Sequence, residues 1–553
     1  MSVEKLIVDH METWTSALQT RSTAGRGSSG KIDLYGIKKL RELILELAVR
    51  GKLVPQDPND EPASDLLKRI AAEKAELVKQ GKIKKQKPLP EISEEEKPFE
   101  LPEGWEWVHL PDIYCSISES SRKIKSSEIL PEGKYPVIEQ SQEFISGYCN
   151  NECLLIKLNN PVIVFGDHTR NIIFIDFDFV VGADGVKILS PILICERFFF
   201  WQLRSFKLDV RGYARHFKVL NSCLFALPPI AEQERIVEKV SSLMSLCDQL
   251  EQQSLTSLDA HQQLVETLLG TLTDSQNTAE LAENWARISE HFDTLFTTEA
   301  SVDALKQTIL QLAVMGKLVP QDPNDEPASE LLKRIAQEKA QLVKEGKIKK
   351  QKPLPPISDE EKPFELPEGW EWCRIGNIVN IKSELVSPKD YLNLYQVAPD
   401  IIEKGTGRVI SKRTVKESGV KGPNSRFYKG QIVYSKIRPS LSKVFLAEYN
   451  GLCSADMYPL DCYINPNYLL KYILSIPFLM QVKKAENRIK MPKLNSDSFY
   501  NIIVAIPPYN EQQAIFDKIN SIEAVCNGLI SYIGIYHKTQ LHLADALTDA
   551  AIN

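Results

Sequence analysis

The chain has 553 residues, of which 43% are hydrophobic and 25% are charged, and its formal net charge is −6. This length exceeds what one hydrophobic core organises, so several domains are expected, and the composition is that of an ordinary globular protein. No apolar run suits a membrane span or a signal-peptide core, which predicts a cytoplasmic location. The 10 cysteines are scattered, a distribution that favours reduced thiols over a disulfide framework or a zinc ribbon.

The sequence of the first 104 residues predicts helices separated by turns. Residues 1–35 are expected to form a flexible segment, because 15–31 is small, polar and rich in glycine. Apolar spacing predicts one helix from Tyr35 to Gly51 and a second over 63–80. The proline-rich segment 82–104 is expected to run extended.

A long internal repeat organises the whole chain. Residues 51–107 recur at 316–372 with 51 of 57 positions identical, and 227–250 recurs more weakly at 506–529. Two segments of little mutual likeness lie between the members of each pair. A duplicated scaffold indicates that two copies of one partner bind, whereas divergent inserts indicate that the inserts recognise two different targets.

The two inserts, 105–230 and 370–508, are predicted to be β-rich domains. Runs of β-branched and aromatic residues at 161–165, 171–181 and 431–437 are typical of strands. VVGADGV in the first insert answers LCSADMY in the second, which indicates a shared skeleton. The second insert has 20 Lys+Arg against 11 Asp+Glu, and the first has 13 against 14.

A long amphipathic helix is predicted after each insert, over about 231–272 and about 510–548. At ~1.5 Å per residue each would be roughly 60 Å long. Each apolar stripe needs a cover, and the other helix is the natural partner, although a plain core-facing surface is the alternative. The predicted stripes are Ile236, Val240, Leu243, Leu246 and Leu250 in the first helix, and Ile515, Ile519, Ile522, Val525 and Leu529 in the second.

No catalytic constellation is found in the sequence. The eight histidines form no pair with metal-ligand spacing, so no metal site is predicted. The Gly-rich run at 25–31 lacks the strand and the Ser or Thr that a phosphate-binding loop requires. The chain is therefore predicted not to be an enzyme.

Basic loops at equivalent places in both inserts favour DNA binding. Arg pairs with guanine and Asn with adenine, and cations contact phosphates. Any one of these loops taken alone is better explained as a solvent-exposed turn. The occurrence of basic loops at equivalent places in both inserts favours DNA binding. The candidate DNA-binding residues are His168, Thr169, Arg170, Asn171, Arg211, Tyr213, Arg215, His216 and Lys218 in the first insert, and Lys436, Arg438, Lys443, Arg488, Lys490 and Lys493 in the second.

These motifs together resemble one known family. The doubled GKLVPQDPNDEPAS–LPEGWEW block, the GDHTR and SKIRPSLSK loops, and the PP-x-x-EQ start of each long helix are similar to the specificity (S) subunit of type I restriction–modification systems, most closely the type IB branch. The likeness extends from about residue 36 onward.

The resemblance implies a fold class and a domain order. The fold expected is α+β, with two α/β target recognition domains separated by two long antiparallel helices (a coiled coil) and a pseudo-two-fold internal repeat. The expected domains are the flexible segment 1–35, the first repeat copy 36–104, recognition domain 1 at 105–230, the spacer helix and connection 231–300, the second repeat copy 301–369, recognition domain 2 at 370–508 and the C-terminal spacer helix 509–553.

The resemblance also implies partners. Each recognition domain would read half of a bipartite DNA site, and two methyltransferase (M) subunits would dock on the repeats to methylate adenine N6. Two restriction/translocase (R) subunits would join for restriction. S-adenosylmethionine, ATP and Mg²⁺ would belong to these partners. The repeat tryptophans Trp105, Trp107, Trp370 and Trp372 are the candidate partner-binding residues.

Two other classes of function stay open at this point. A fused methyltransferase or nuclease would need a cofactor loop or an acidic metal site, and the sequence contains no motif for either. A scaffold that binds only proteins would not need the positive surplus of the second insert, and salt-dependent DNA binding would separate it from a DNA reader.

Overall fold

The structure is a computed structural model that describes residues 3–20, 32–117, 123–141, 143–182, 185–208, 215–485 and 492–552. The chain forms two compact units: unit 1 comprises Met1–Ser257 and Tyr536–Asn553, and unit 2 comprises Leu258–Ile535. Each unit contains one repeat copy and one insert, so the duplication in the sequence is also a duplication of folded parts.

The elements of the first half run from the N-terminus through the first long helix. They are α1 (Val3–Asp9), α2 (Met11–Ser16), β1 (Gln19–Thr20), β2 (Ile32–Asp33), α3 (Tyr35–Val49), α4 (Ala63–Lys79), β3 (Glu106–His109), β4 (Tyr114–Ile117), β5 (Tyr135–Ile138), β6 (Gly147–Cys149), β7 (Leu155–Ile156), β8 (Val162–Gly166), β9 (Ile172–Ile175), β10 (Phe179–Val181), β11 (Val186–Pro191), α5 (Glu196–Ser205), α6 (Phe217–Leu220), β12 (Leu224–Leu227) and α7 (Ile230–Asp274).

The second half follows a similar but not identical order after two connecting helices. Its elements are α8 (Thr278–Glu290), α9 (Phe292–Leu295), α10 (Glu299–Val314), α11 (Ala328–Lys344), β13 (Glu371–Arg374), α12 (Ile375–Ile378), β14 (Val379–Ile381), β15 (Glu384–Val386), β16 (Tyr395–Val397), α13 (Val415–Ser418), β17 (Asn424–Phe427), β18 (Ile432–Ser435), β19 (Val444–Leu446), β20 (Gly451–Ser454), β21 (Met457–Cys462), α14 (Pro466–Ile473), α15 (Ile476–Ala485), α16 (Ser496–Asn501), β22 (Ile503–Ile506) and α17 (Tyr509–Ile552).

Each repeat copy is a pair of helices whose turn depends on a glycine. The φ angle is +65° at Gly51 after α3 and +71° at Gly316 after α10, a conformation that glycine adopts without a Cβ clash. The second helix then begins with the Ala63 N–H donating to Gly104 O at 2.8 Å, which ties the helix to the strand that opens the insert. The predicted helices at 35–51 and 63–80 are confirmed within two residues.

The two inserts share the strand order of one sheet and the three central strands of the other, where the fourth strand lies beside β5 in the first insert but beside β17 in the second. The first has sheets β4-β11-β8-β9 and β6-β5-β10-β7, and the second has β14-β21-β18-β19 and β15-β17-β20-β16. Strands β10 and β20, which carry the matched VVG and LCS sequences, each pair with one parallel and one antiparallel neighbour. The pairs β3–β12 and β13–β22 join the two ends of each insert. The predicted common skeleton is confirmed.

The run predicted as one strand over 171–181 is two strands that belong to different sheets. β9 and β10 are separated by a turn in which Asp176 and Asp178 are exposed. The Asp178 carboxylate accepts the Leu158 N–H at 2.9 Å. Carboxylates stay solvated or hydrogen-bonded, so the chain bends where they occur, and the strand pattern alone did not reveal this.

The prediction of flexibility for residues 1–35 is wrong for 3–20, while 21–31 lies outside the described residues. Helix α2 packs on α3 and α1 packs on α2, with Trp14 fully buried. The Gly36 N–H donates to Ala17 O at 3.0 Å, and a Cβ on Gly36 would lie 2.3 Å from Trp14 O. The buried indole supplies apolar area that the polar composition of this segment conceals.

The long helices span 45 residues (α7) and 44 residues (α17), which corresponds to roughly 65 Å each at ~1.5 Å per residue. α7 begins in unit 1 and ends in unit 2, whereas α17 begins in unit 2 and ends in unit 1. In unit 2, Val265 and Leu269 of α7 share an apolar cluster with Cys526 of α17. Val525, predicted in the apolar stripe, is 64% exposed, because the helical period places Cys526 in that stripe instead.

Candidate nucleic-acid interface

Two hairpin loops occupy equivalent positions in the two inserts. The first loop, 167–171, connects β8 to β9, and the second loop, 436–443, connects β18 to β19. Each loop holds an arginine in the left-handed region, with φ +60° at Arg170 and +45° at Arg438. Such a conformation costs a non-glycine residue about 1–3 kcal/mol and is concentrated at functional sites. Both loops therefore hold the backbone of an arginine in a strained conformation.

The first loop is fixed to the neighbouring sheet by its own polar side chains. The Thr169 hydroxyl donates to Gln140 O and the Asn171 amide to Ser141 O, both at 2.5 Å. The Arg170 guanidinium donates to Leu208 O at 2.7 Å, and the His168 N–H donates to the Gln140 side chain at 3.2 Å. These bonds preorganise the loop.

The second basic segment of the first insert lies against this loop. Arg215 and Lys218 are exposed, whereas Arg211 and Tyr213 lie outside the described residues. His216 is only 1% exposed, and its N–H and its Nδ1 lie 2.9 and 3.1 Å from Asp167 O. In this position His216 holds the loop and does not face solvent, which differs from the predicted contact with DNA.

The second insert repeats the arrangement with different residues. Lys436 donates to Ala455 O at 2.8 Å, and its ammonium and that of Lys493 lie 3.9 and 3.3 Å from the Asp456 carboxylate. Lys443 donates to Pro399 O. Arg438 is exposed, and its N–H donates to Pro492 O at 2.9 Å. Arg488 and Lys490 lie outside the described residues.

The two basic segments of each insert are thus brought into contact, although about 50 residues separate them in the chain. His216 N–H donates to Asp167 O in the first insert, and Leu494 N–H donates to Lys436 O in the second, both at 2.9 Å. In each case the accepting residue directly follows the strand that leads into the hairpin. The arrangement therefore places the hairpin loop and the second basic segment of each insert side by side.

A buried joint connects each repeat copy to the start of a long helix. The Trp105 indole donates to the Glu232 carboxylate at 2.9 Å, and the Gln56 amide donates to its other oxygen at 3.1 Å. Trp370 and Glu511 repeat the first bond at 2.9 Å in unit 2. Burial raises the pKa of Glu232 and of Glu511, although the hydrogen bonds oppose this.

The four candidate partner-binding tryptophans therefore fall into two classes. Trp105 and Trp370 are each 6% exposed and belong to the joints. Trp107 and Trp372 are half-buried, and each contacts a phenylalanine of the extended segment, with ring centroids 4.9 Å apart for Phe99–Trp107. Only the second pair presents part of its surface to solvent.

Several residues that position the site were not identified from the sequence. Gln140 and Asp167 anchor the first loop, and Asp456 lies between two cations of the second. Gln233 donates to Pro228 O at 3.0 Å and accepts the Cys195 N–H at 3.0 Å, which links the helix start to the insert. The doubled Pro-Pro-x-x-Glu-Gln sequence was the signal that could have assigned this role.

Among the described residues, no group of three or more His, Cys, Asp or Glu side chains is arranged to hold a metal ion. Over the same residues, no helix combines the length and apolarity that crossing a bilayer requires.

A family model and two relatives in Escherichia coli identify one family. A family model for the type I restriction modification DNA specificity domain matches residues 102–260 and 367–533. The chain is similar, over the full length of both sequences, to the type I restriction enzyme EcoAI specificity subunit (51% identity) and EcoEI specificity subunit (49% identity) of Escherichia coli. A solved structure from work on assembly and conformational transition of the type I R-M system covers 82% of this chain and 99% of that chain, with 15% identity and a TM-score of 0.43.

Proposed function

The chain belongs to the family of type I restriction–modification specificity subunits, and from this premise we propose that its two inserts read the two halves of one bipartite, asymmetric DNA site. It is the DNA specificity subunit, with two target recognition domains, and it is not itself an enzyme. S-adenosylmethionine and ATP are bound by the methyltransferase and restriction subunits of such complexes.

The observation that carries the assignment of the reading surface is the pair of strained arginines, Arg170 and Arg438, in equivalent hairpins. Arginine reads guanine through two parallel hydrogen bonds, which requires a fixed orientation. Arg438 is exposed and therefore assigned to a base edge. Arg170 is half-buried and already donates to Leu208 O, so a base contact would use its remaining donors.

The other candidates receive different proposed roles. Exposed Thr169, Arg215 and Lys218 are assigned to DNA contacts, as are half-buried His168, Asn171, Lys436, Lys443 and Lys493. His216 is assigned a positioning role through Asp167. Arg211, Tyr213, Arg488 and Lys490 keep their predicted role as DNA contacts on sequence grounds alone.

Each repeat copy is proposed to bind one methyltransferase subunit, and two restriction/translocase subunits are proposed to join afterwards. The complete complex is proposed to be a cytoplasmic enzyme of the type IB branch. It would methylate adenine N6 with S-adenosylmethionine and use ATP and Mg²⁺ for restriction. Near-identical surfaces suit two copies of one partner. We assign the long helices the role of setting the gap between the two half-sites. If both recognition domains bind the same side of the duplex, the half-sites would lie about one helical turn, ~34 Å, apart. The domain boundaries expected from the sequence are retained in this proposal.

The decisive experiment exchanges one recognition domain. Residues 105–230 are replaced by the corresponding segment of the EcoAI relative, and the methylated sites are mapped by methylome sequencing. One half of the methylated sequence should change, and the other half and the gap should not. The reciprocal exchange of 370–508 is the control, and an unchanged site in both exchanges would refute the proposal.

Single substitutions test the hairpins. Arg438→Ala should cost ~1–3 kcal/mol of cognate binding and relax the specificity at one base of one half-site. Lys218→Ala, in the other insert, should instead weaken binding about uniformly across sequences if it contacts a phosphate. Affinities for a panel of single-base variants of the site separate these outcomes.

Partner docking is tested with the half-exposed tryptophans. Trp107→Ala with Trp372→Ala should lower the number of methyltransferase subunits bound, as measured by native mass spectrometry. Trp285→Ala is the matched control, because this tryptophan is 39% exposed on α8, outside the repeat. Unchanged stoichiometry in the double variant would remove these residues from the docking surface.

A further inference from the structure

A groove of about 700 Å³ beside the second recognition domain has lysine as its most frequent lining residue. One wall is the segment 347–355, and the other is formed by 380–383 and 496–501. Its lining contains one acidic residue, Asp497, and five lysines: Lys347, Lys349, Lys350, Lys352 and Lys382. The lining is therefore strongly positive, even though Lys352 lies 3.7 Å from Asp497.

This groove opens at the same end of the sheet as the second hairpin loop. The Lys382 N–H donates to Pro459 O at 2.9 Å, so Lys382 continues β14 beside β21. Pro459 is two residues from Met457, which pairs with Ser435 where the hairpin begins. With strands ~4.8 Å apart and residues ~3.3 Å apart, the rim of the groove lies roughly 10–15 Å from the loop. A duplex in contact with the loop would reach the lysines with its adjacent backbone.

The sequence of the strip indicates what it binds. GKIKKQKPLP is identical at 81–90 and 346–355, although the two inserts differ almost throughout. Readers must differ where the bases of the two half-sites differ. The phosphate backbone is the same at both half-sites, so a surface that binds it needs no difference between copies. Lysine, a flexible point charge, suits phosphate better than base edges.

We propose that this lysine strip, Lys347–Lys352 with Lys382, and its copy Lys82–Lys87, binds the phosphate backbone next to each half-site. The proposal rests on the proposed function and adds a sequence-independent contact to the sequence-reading loops. The repeat copies then serve two purposes, because part of each faces DNA and not a protein partner.

The test removes the charges and follows salt dependence. The variant carries Gln at positions 347, 349, 350 and 352 in the full chain, assembled with its methyltransferase subunits. Each phosphate contact contributes about 0.9 to the slope of log affinity against log salt, so the slope should fall by about 2–4. The affinity loss between 50 and 200 mM salt should shrink by roughly 15- to 250-fold, for cognate and noncognate duplexes alike. The methylated sequence should stay the same.

A control variant replaces Lys518 and Lys538, two exposed lysines of α17 that lie outside the repeat copies, with Gln. Its salt slope should equal that of the wild type. An unchanged slope in the strip variant, with loss of methyltransferase binding, would overturn the proposal and assign the strip to an acidic protein surface. A wild-type complex without site preference would refute the proposed function instead, and the slope would still decide the role of the strip.

Discussion

Replacing Gly51 with alanine tests the packing of the joint between the repeat and the insert. Gly51 has φ +65°, and an alanine Cβ there would lie 2.3 Å from Pro102 Cγ and 3.2 Å from Trp105 Cζ2. Gly81 has nearly the same backbone, with φ +70°, but nothing lies within 4 Å of a Cβ at that position. The two substitutions therefore share a backbone cost and differ in the clash.

The magnitudes follow from these two terms. A left-handed alanine costs about 1–2 kcal/mol, and the lower entropy of the unfolded chain returns about 0.4–1 kcal/mol. Gly81→Ala should therefore destabilise unit 1 by about 1 kcal/mol. Gly51→Ala adds an overpacking cost of about 1–3 kcal/mol, because the Pro102 ring is closed onto its own backbone nitrogen and cannot rotate away.

The assay is urea unfolding of the full chain followed by tryptophan fluorescence, with the free energies of unfolding obtained by linear extrapolation. The transition of unit 2 serves as an internal reference that neither substitution should move. Gly316→Ala and Gly346→Ala provide the same comparison in unit 2, with φ +71° at both and a Cβ–Pro367 Cγ distance of 2.4 Å only at Gly316. Equal destabilisation by Gly51→Ala and Gly81→Ala would refute the close packing of the joint.

Three further predictions concern titration and strain. Burial raises the pKa of Glu232 above its ordinary 4.5, so the folded state binds this proton more tightly than the unfolded state. The free energy of unfolding of the wild type, relative to that of Glu232→Gln, should therefore fall as the pH rises above about 4.5. A difference in urea midpoints that does not change with pH would contradict this. Burial lowers the pKa of Lys339 to about 8, below its ordinary 10.5. The stability of the wild type, relative to that of Lys339→Met, should therefore rise between pH 8 and 10.5. A difference in unfolding temperature that stays constant over this interval would show that burial does not lower this pKa. Arg438→Gly relieves a left-handed φ of +45° and should stabilise unit 2 by about 1 kcal/mol while weakening recognition of one half-site; a loss of stability would mean that the arginine side chain supports the loop.

The architecture was accessible from the sequence because its signals are local or duplicated. The repeat at 51–107 and 316–372, the stops at Gly51 and Gly316 and the 3.6-residue spacing of the long helices each depend on residues close together in the chain. The family resemblance rests on the same motifs. Strand periodicity placed β8 and β18 correctly, and with them the two hairpins that follow.

The details of the site depended on contacts between distant residues. His216 and Arg215 are adjacent basic candidates, yet one is buried against Asp167, 49 residues away, and the other is exposed. Likewise, the Leu-Asn pairs at 220–221 and 494–495 look equivalent, but the first ends a helix and the second precedes one.

The sequence by itself determined that the protein has two scaffolds, two different readers and two long helices, since repetition and periodicity are properties of the chain alone. Only the tertiary structure decided which basic residues face outward, that Trp105 reaches Glu232, and that the lysine segment lies beside the hairpin end of the sheet. The physical reason is that burial and hydrogen bonding between residues far apart in the sequence depend on tertiary packing. Local sequence patterns do not specify that packing.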